Sequence, residues 1–341
     1  TSLEIDLGND VQTRGTQSDV WDVYVEVRTH APTITLRGVD PNWFKESGGV
    51  PGFQKRFCYD DYVMQPDEDD PEYEAYWKGL IDFARTKGPV PAFKDTQTSL
   101  KQGWMKAHLG GVHIYLVQHP RLTDKSFHSF RGFSNRYIRE FALILARNAD
   151  HPAFREIFNW AAVEPPAQGL SIDDEVRHYS KPFAAKPENR DPRFTRQYHY
   201  NAYCFLWMMG LAHASRHADV IVDMEALHDD DKRTEIEQAL KDKTGLDIDL
   251  SDYKPKISKQ TIGEENFMMQ EDVLDIIRRA LPHMEPDWDR LRALPLSRTT
   301  ENAIHFFARP SSAATAPKGG QTLFAQMPKA PRQRKAASNL S

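Results

Sequence analysis

The segment Val112–Ser126 constrains the fold of this chain more than any other part of the sequence. Its first seven residues, Val112–Gln118, are mostly apolar and predict a buried β-strand, which His119-Pro120 ends abruptly. A helix is expected next, with the hydroxyl of Ser126 eight residues beyond Gln118. A strand that turns sharply into a helix exposes backbone N–H groups at a sheet edge, where parallel α/β proteins bind anions. The segment therefore predicts an α/β fold and a ligand that carries phosphate.

Strands and helices alternate along most of the chain. Strands are predicted at Leu3–Leu7, Thr33–Leu36, Pro89–Asp95, Val112–Val117 and Val220–Glu225. Helices are predicted at Asp19–His30, Pro71–Arg85, Leu100–Leu109, 124–149, 151–163, 197–217, Asp229–Thr244, 271–281 and 286–293. This alternation predicts a central, mostly parallel sheet flanked by helices. Ligands bind at the carboxyl ends of such strands, which would bring together the residues after Leu7, Lys94, Gln118 and Asp223.

The order of the segments predicts one α/β domain and a tail. The domain spans residues 1–308, with irregular insertions at about 40–75 and 165–196. From Arg309 onward the chain is rich in small residues and carries six basic residues and no acidic one, which predicts a disordered tail and a possible docking segment for a protein partner. The whole chain has a net charge of −5, so general nucleic-acid binding is not expected.

The cysteines, histidines and apolar runs bear on the compartment of the protein, on membrane crossing and on metal binding. Two cysteines, Cys58 and Cys204, cannot build a disulfide framework, which favours a reducing, cytoplasmic compartment. The apolar run Phe141–Ala146 is too short to cross a bilayer. His213 and His217 have the spacing of two metal ligands on a helix, but no partner motif accompanies them and no metal is expected.

The N-terminal loop has the composition of a phosphate-binding loop. It contains Arg14-Gly15-Thr16-Gln17-Ser18, in which backbone amides, hydroxyls and a cation could surround an anion. A solvated loop with Ser18 as a helix N-cap fits the same residues. The loop does not match GxxxxGK[ST], which disfavours an ordinary nucleotide triphosphatase.

Two lysine positions are further candidates for contact with an anion. Lys94 ends a predicted strand and could neutralise charge on a leaving phosphate, although taken alone an exposed edge lysine is the more common explanation for a lysine at such a position. Lys259 belongs to a basic group with Lys254 and Lys256, which could hold a second phosphate or form a solvated loop.

Taken in order, these segments resemble the sulfotransferase family, whose sulfuryl donor is 3′-phosphoadenosine 5′-phosphosulfate (PAPS). The family has a strand ending in Arg-x-Pro and a Ser eight residues after the Arg, and Gln118, Pro120 and Ser126 occupy that spacing, with Gln118 in place of the Arg. Arg121 follows three residues after Gln118. The strand Val220–Glu225 and the following Ala226-Leu227 are similar to the family's strand with its Tyr-Glu-Asp-Leu-like end. The resemblance covers about residues 3–290.

The resemblance implies a P-loop nucleotide-hydrolase-like architecture and direct transfer of a sulfuryl group from PAPS to a hydroxyl or amine of a small-molecule or carbohydrate acceptor, without a metal. His30 is then the candidate base and Lys94 the candidate stabiliser of the leaving group. The implied PAPS-binding residues are Arg14, Gly15, Thr16, Gln17, Ser18, Gln118, Arg121, Ser126 and Lys259.

Two alternatives remain open at this point. A phosphotransferase on a related scaffold would need a lysine in the first loop and an aspartate for magnesium. A non-catalytic protein-binding module with the same fold would explain Gln118 and the altered loop.

Overall fold

The structure is a computed structural model, and all the residues it describes lie within the compact unit Thr1–Arg309. It describes residues 24–26, 35–36, 54, 57, 62–85, 92–94, 98–120, 144–161, 170, 174, 178, 196–251, 253 and 271–308. The predicted strand Leu3–Leu7, most of the two predicted insertions and the predicted tail lie outside these residues.

The described residues form a mixed α/β structure in which helices predominate. The strands are β1 (Tyr24–Glu26), β2 (Thr35–Leu36), β3 (Ala92–Lys94), β4 (Ile114–Val117) and β5 (Val220–Asp223). The helices are α1 (Pro71–Arg85), α2 (Gln102–Leu109), α3 (Pro152–Ala161), α4 (Arg196–His217), α5 (Asp230–Thr244), α6 (Glu271–Ala280), α7 (Trp288–Arg292) and α8 (Arg298–Phe307). Short 3₁₀ helices follow β5 at Ala226–His228 and α6 at Leu281–Met284.

The described strands lie in two sheets. In the first, β1 pairs with β2 antiparallel and with β3 parallel, so that Glu26 lies opposite both Thr35 and Lys94. In the second, β4 and β5 are parallel, with Val117 opposite Asp223. The second sheet therefore brings the carboxyl ends of β4 and β5 to one edge.

Most predicted elements in the described range are confirmed, but the predicted helix Asp19–His30 is wrong, because this segment contains β1. Val23, Val25 and Val27 alternate with polar or aromatic residues, and β-branched side chains at every second position favour a strand. Helix α1 has the predicted bounds, and α5 ends as predicted at Gly245, whose φ of 71° is left-handed.

Strand β4 is buried on one face only, whereas its sequence predicted a buried strand. Val117 is buried, but Val112, Ile114 and Leu116 are 42%, 36% and 43% exposed. A continuous apolar run is typical of a strand covered on both faces, so the sequence pattern could not distinguish the two faces.

The strand β5 is covered on both faces. Ile221 belongs to the main core, which is built around the buried residues of α4. Val220 and Val222 pack on the other side with Ile236 and Leu240 of α5. The main core also includes residues of α3, α6, α7 and α8, so β5 and α4 form the framework on which the end of β4 is held.

An aromatic cluster joins α1 to α2. Tyr73 packs on Trp104 with ring centroids 5.0 Å apart and on Phe57 at 4.9 Å. Lys101, only 1% exposed, donates from Nζ to the carbonyl oxygen of Phe57 at 3.0 Å and lies 4.6 Å above the Tyr73 ring. A hydrogen bond and a cation–π contact therefore compensate part of the cost of burying this charge.

Among the described residues, no helix is both long enough and apolar enough to cross a membrane.

Gly210 of α4 lies against the side chain of Tyr115 in β4, and we expect Gly210→Ala to destabilise the fold. A Cβ at this position would lie 2.3 Å from the Tyr115 hydroxyl oxygen. Because Tyr115 is partly buried and packs against the main core, the overpacking should lower the free energy of unfolding by about 1–3 kcal/mol. Urea denaturation measures the change.

The control is Gly79→Ala on the exposed face of α1, where an added Cβ meets nothing within 4 Å. The same substitution should there stabilise the helix by about 0.5–1 kcal/mol. Gly210→Ala with unchanged stability would contradict the close packing of α4 on β4.

Candidate functional site

The parallel pairing of β4 with β5 forms the candidate site. We call the residues that follow the two strands, Gln118 and His119 after β4 and Met224 and Glu225 after β5, the carboxyl edge. The Met224 N–H donates to the Val117 carbonyl at 2.8 Å and continues the ladder one step past the strands. Strand ends in this arrangement are the usual ligand-binding positions of parallel α/β sheets.

Both polar groups of the peptide bond between Gln118 and His119 have side-chain partners. The Gln118 carbonyl accepts a hydrogen bond from the indole N–H of Trp207 in α4 at 2.9 Å. The His119 N–H donates to the two carboxyl oxygens of Glu225 at 2.9 and 3.0 Å. We call this unit the 118–119 peptide. Its plane is fixed immediately before Pro120, which is buried and already helical.

Asp223, the last residue of β5, is fully buried and joins the strand to α8. Its Oδ2 accepts from the Ser297 N–H at 2.9 Å and from the Ser297 hydroxyl at 2.8 Å, and its Oδ1 accepts from the Glu225 N–H at 3.0 Å. Ser297 is the N-cap of α8 and accepts from the Thr300 N–H. Both oxygens of Asp223 are therefore already used to hold protein groups.

Burial and the neighbouring Asp223 raise the pKa of Glu225 to about 8, although the hydrogen bond from the His119 N–H opposes the rise. Glu225 is only 7% exposed, so desolvation of its charged form is the main cause. A hydrogen bond to the Asp223 side chain acts in the same direction. Burial, with Glu225 and Asp223 nearby, also raises the pKa of Tyr253 to about 12. At neutral pH the carboxyl edge therefore holds a neutral Glu225, which can donate one hydrogen bond and accept others.

At the opposite end of the β4–β5 pair, the side chain of Asp219 forms a separate set of hydrogen bonds. Asp219 accepts from the His113 N–H at 2.9 Å and from Lys106 of α2 at 2.5 Å. Burial acts to raise the pKa of Asp219, but these two hydrogen bonds outweigh it and the pKa is lowered. This end therefore carries an ion pair, whereas the carboxyl edge carries a carboxyl group that retains its proton.

His213 and His217 are close, with ring centroids 4.4 Å apart. Their surroundings favour a packing role for these side chains over a role as metal ligands. Burial and the neighbouring His217 lower the pKa of His213 to about 3, so its ring is neutral. The Gly103 N–H points to its Nε2 at 3.4 Å. In the described part of the chain, these residues join no group of three or more ligands that could hold a metal.

Only two of the residues predicted for the site fall within the described part of the chain. Gln118 lies at the carboxyl edge, as predicted, and Lys94 ends β3, which pairs in the first sheet. The other predicted site residues, which lie outside the described part, are Arg14, Gly15, Thr16, Gln17, Ser18, His30, Arg121, Ser126 and Lys259.

Sequence reasoning missed Glu225 and Trp207 as residues of this edge. The charged end of the strand Val220–Glu225 was visible in the sequence and was a possible signal for Glu225. Trp207 had no such signal, because an aromatic residue in an apolar helix is typical of a core.

Comparison of the chain with protein-family models, with curated proteins and with solved structures gave no match.

Proposed function

We propose that this protein is a PAPS-dependent sulfotransferase that transfers a sulfuryl group to a hydroxyl or amine of a small-molecule or carbohydrate acceptor. The observation that carries the proposal is the carboxyl edge itself. It presents a fixed peptide directly before a buried proline and a helix start, in the segment whose Gln118, Pro120 and Ser126 spacing resembles the family's 3′-phosphate motif.

The protonated Glu225 supports an anionic ligand at this edge. A carboxylate there would repel a nucleotide bisphosphate, whereas a carboxyl group with a pKa of about 8 is mostly neutral at pH 7. Gln118 contributes no charge. In this proposal Arg121 would neutralise the charge of the 3′-phosphate, and the hydroxyl of Ser126 would donate a hydrogen bond to it.

The remaining parts of the proposal come from the resemblance. One central, mostly parallel sheet would unite the strands, and Arg14, Gly15, Thr16, Gln17 and Ser18 would surround the 5′-phosphosulfate. His30 would remove the acceptor proton, Lys94 would stabilise charge on the leaving oxygen, and Lys259 would contact a second phosphate. A reducing, cytoplasmic setting also belongs to the proposal, and the buried free thiol of Cys204 is compatible with it.

Thermal denaturation with two nucleotides tests the proposal. Adenosine 3′,5′-bisphosphate, the product of sulfuryl transfer from PAPS, should raise the melting temperature, because a ligand that binds the folded state alone stabilises it. ATP with magnesium should not, since both Asp223 oxygens are held by protein donors. Stabilisation by ATP with magnesium alone would favour the phosphotransferase alternative.

One observation favours a non-catalytic protein-binding module as a second candidate. The His119 N–H, a group that an anion at the end of β4 could use, is already taken by Glu225. This candidate predicts no stabilisation by the bisphosphate at high micromolar concentration and no transfer of labelled sulfate from PAPS to any of a panel of hydroxyl and amine acceptors. Either stabilisation or transfer would exclude it.

A further inference from the structure

We propose that His213 of α4 caps the N-terminus of α2, and that His213 and His217 together form an acid-sensitive junction between the two helices. We call these two side chains and Gly103, the residue of α2 that they contact, the histidine junction. Neutral rings hold the first turn of α2 on α4, and protonated rings release it. The inference does not depend on the proposed function, because none of these residues belongs to the carboxyl edge.

The first turn of α2 receives a hydrogen-bond acceptor from α4. Lys101 occupies the N-cap position of α2, but its side chain makes no capping hydrogen bond. The Gly103 N–H donates instead to Nε2 of His213 at 3.4 Å. Because the first N–H groups of a helix have no partner within the helix, this contact supplies one of the missing acceptors. Nε2 can accept only without a proton, so the neutral ring carries its proton on Nδ1.

Protonation of the rings would reverse this contact. An imidazolium ring donates at both nitrogens, so the Nε2–H of His213 would face the Gly103 N–H, and the positive end of the α2 dipole would repel the new charge. His213 is only 4% exposed. His217 packs on the same backbone, because a Cβ added to Gly103 would lie 2.8 Å from its Nδ1. Both features oppose a charge at the junction.

The charged and titratable groups around the junction oppose protonation as well. In the described part of the chain, the groups that act on the two rings, directly or through a neighbour, are Arg216 of α4, Lys106 of α2, His151 before α3 and His283 after α6. Arg216 pairs with Glu285 and Lys106 with Asp219. Burial and the neighbouring His217 lower the pKa of His213 to about 3, and burial with Arg216 lowers the pKa of His217.

The direction of the pH effect follows from these lowered pKa values. Above pH 6.5, the ordinary pKa of histidine, a ring is neutral whether the junction is closed or open. Below pH 6.5 an opened ring binds a proton that the closed junction excludes. The open form therefore gains about tenfold for each pH unit and each proton. For His213 this gain continues down to about pH 3.

Amide hydrogen exchange of α2, followed by mass spectrometry on the full chain and corrected for the intrinsic pH dependence of exchange, tests the inference. Between pH 7.5 and pH 5, wild type should lose protection in α2 by roughly 30-fold or more, the value for one proton. His213→Gln keeps an acceptor oxygen for the Gly103 N–H and does not titrate in this range, so it should reduce the loss at least about tenfold. An equal loss in wild type and His213→Gln would overturn the inference.

Two controls separate a local junction from general effects of acid. His305→Gln replaces an exposed histidine of α8 and should leave the loss of protection in α2 within about twofold of wild type. Within wild type, α5 should lose less protection than α2, since its exchange does not require the junction to open. Equal losses in α2 and α5 would indicate global unfolding and overturn the junction.

A measurement on wild type alone decides the capping role even if His213→Gln does not fold. Long-range proton–nitrogen correlation in an NMR spectrum at pH 7 reports which ring nitrogen of His213 carries the proton. The inference predicts a proton on Nδ1 and none on Nε2, because Nε2 accepts the Gly103 N–H. A proton on Nε2 would overturn the cap.

Discussion

Glu225→Gln is expected to make the protein more stable than wild type above pH 8 and to reduce the pH dependence of its stability. The pKa of Glu225 rises from its ordinary value of 4.5 to about 8 in the folded protein. Below pH 4.5 both states hold the proton, so the shift contributes nothing. As the pH rises from 4.5 to 8, the unfolded chain loses the proton that the folded protein retains, and stability falls. Above pH 8 the loss is complete, at roughly 3–5 kcal/mol.

Urea denaturation between pH 5 and pH 9 measures this effect. Glutamine keeps the acceptor for the His119 N–H, offers an amide donor toward Asp223 and cannot ionise. The free energy of unfolding of the Glu225→Gln variant should therefore fall less than that of wild type over this pH range. Glu235→Gln is the control, because Glu235 lies on the exposed face of α5. In the Glu235→Gln variant the free energy of unfolding should depend on pH as it does in wild type. A wild-type slope that persists in Glu225→Gln would show that Glu225 does not hold a proton in the folded protein.

Asp223→Ala is expected to lower the free energy of unfolding by about 3 kcal/mol or more. The substitution leaves the N–H and hydroxyl of Ser297 and the N–H of Glu225 without their acceptor in a fully buried position. Each buried donor that loses its partner costs about 1–3 kcal/mol, with some recovery by rearrangement. Urea denaturation in a Glu225→Gln background isolates this effect, because the titration of Glu225, which Asp223 influences, is then absent.

Asp219→Ala provides the comparison at the other end of β5. The Asp219 side chain also accepts a backbone N–H and an ammonium group, but it is 17% exposed and the Lys106 partner is 45% exposed. Water can replace its hydrogen bonds, so the loss should be about 1 kcal/mol. Equal losses for the two variants would contradict the assignment of Asp223 as the buried connection between β5 and α8.

Much of the second sheet and its helices could be predicted from the sequence. The run Val220–Asp223 and the helix end at the left-handed Gly245 are local signals, and both predictions are confirmed. Asp229, predicted as the first residue of that helix, is its N-cap. The predicted helix Asp19–His30 failed because Val20, Tyr24 and Val27 also match a helical spacing. When a short segment fits both the helical and the strand period, pairing with neighbouring strands determines which structure it adopts. The strands that pair with this segment are separate elements of the chain, so its own sequence could not reveal them.

The chemistry of the carboxyl edge was less predictable. The sequence placed Gln118 at a strand end, but the partners of the 118–119 peptide lie 89 and 106 residues away along the chain. The raised pKa of Glu225 likewise depends on burial beside Asp223, which only the folded arrangement creates. Local spacing identified the edge, and tertiary packing determined what its side chains do there.

The most direct test of the account is isothermal titration of adenosine 3′,5′-bisphosphate into wild type and Ser126→Ala. The account predicts saturable binding to wild type and affinity reduced about tenfold or more in Ser126→Ala, because the variant loses a hydroxyl assigned to a charged phosphate. Equal affinity in the two proteins, or no binding to wild type at high micromolar concentration, would contradict the assignment of the nucleotide site.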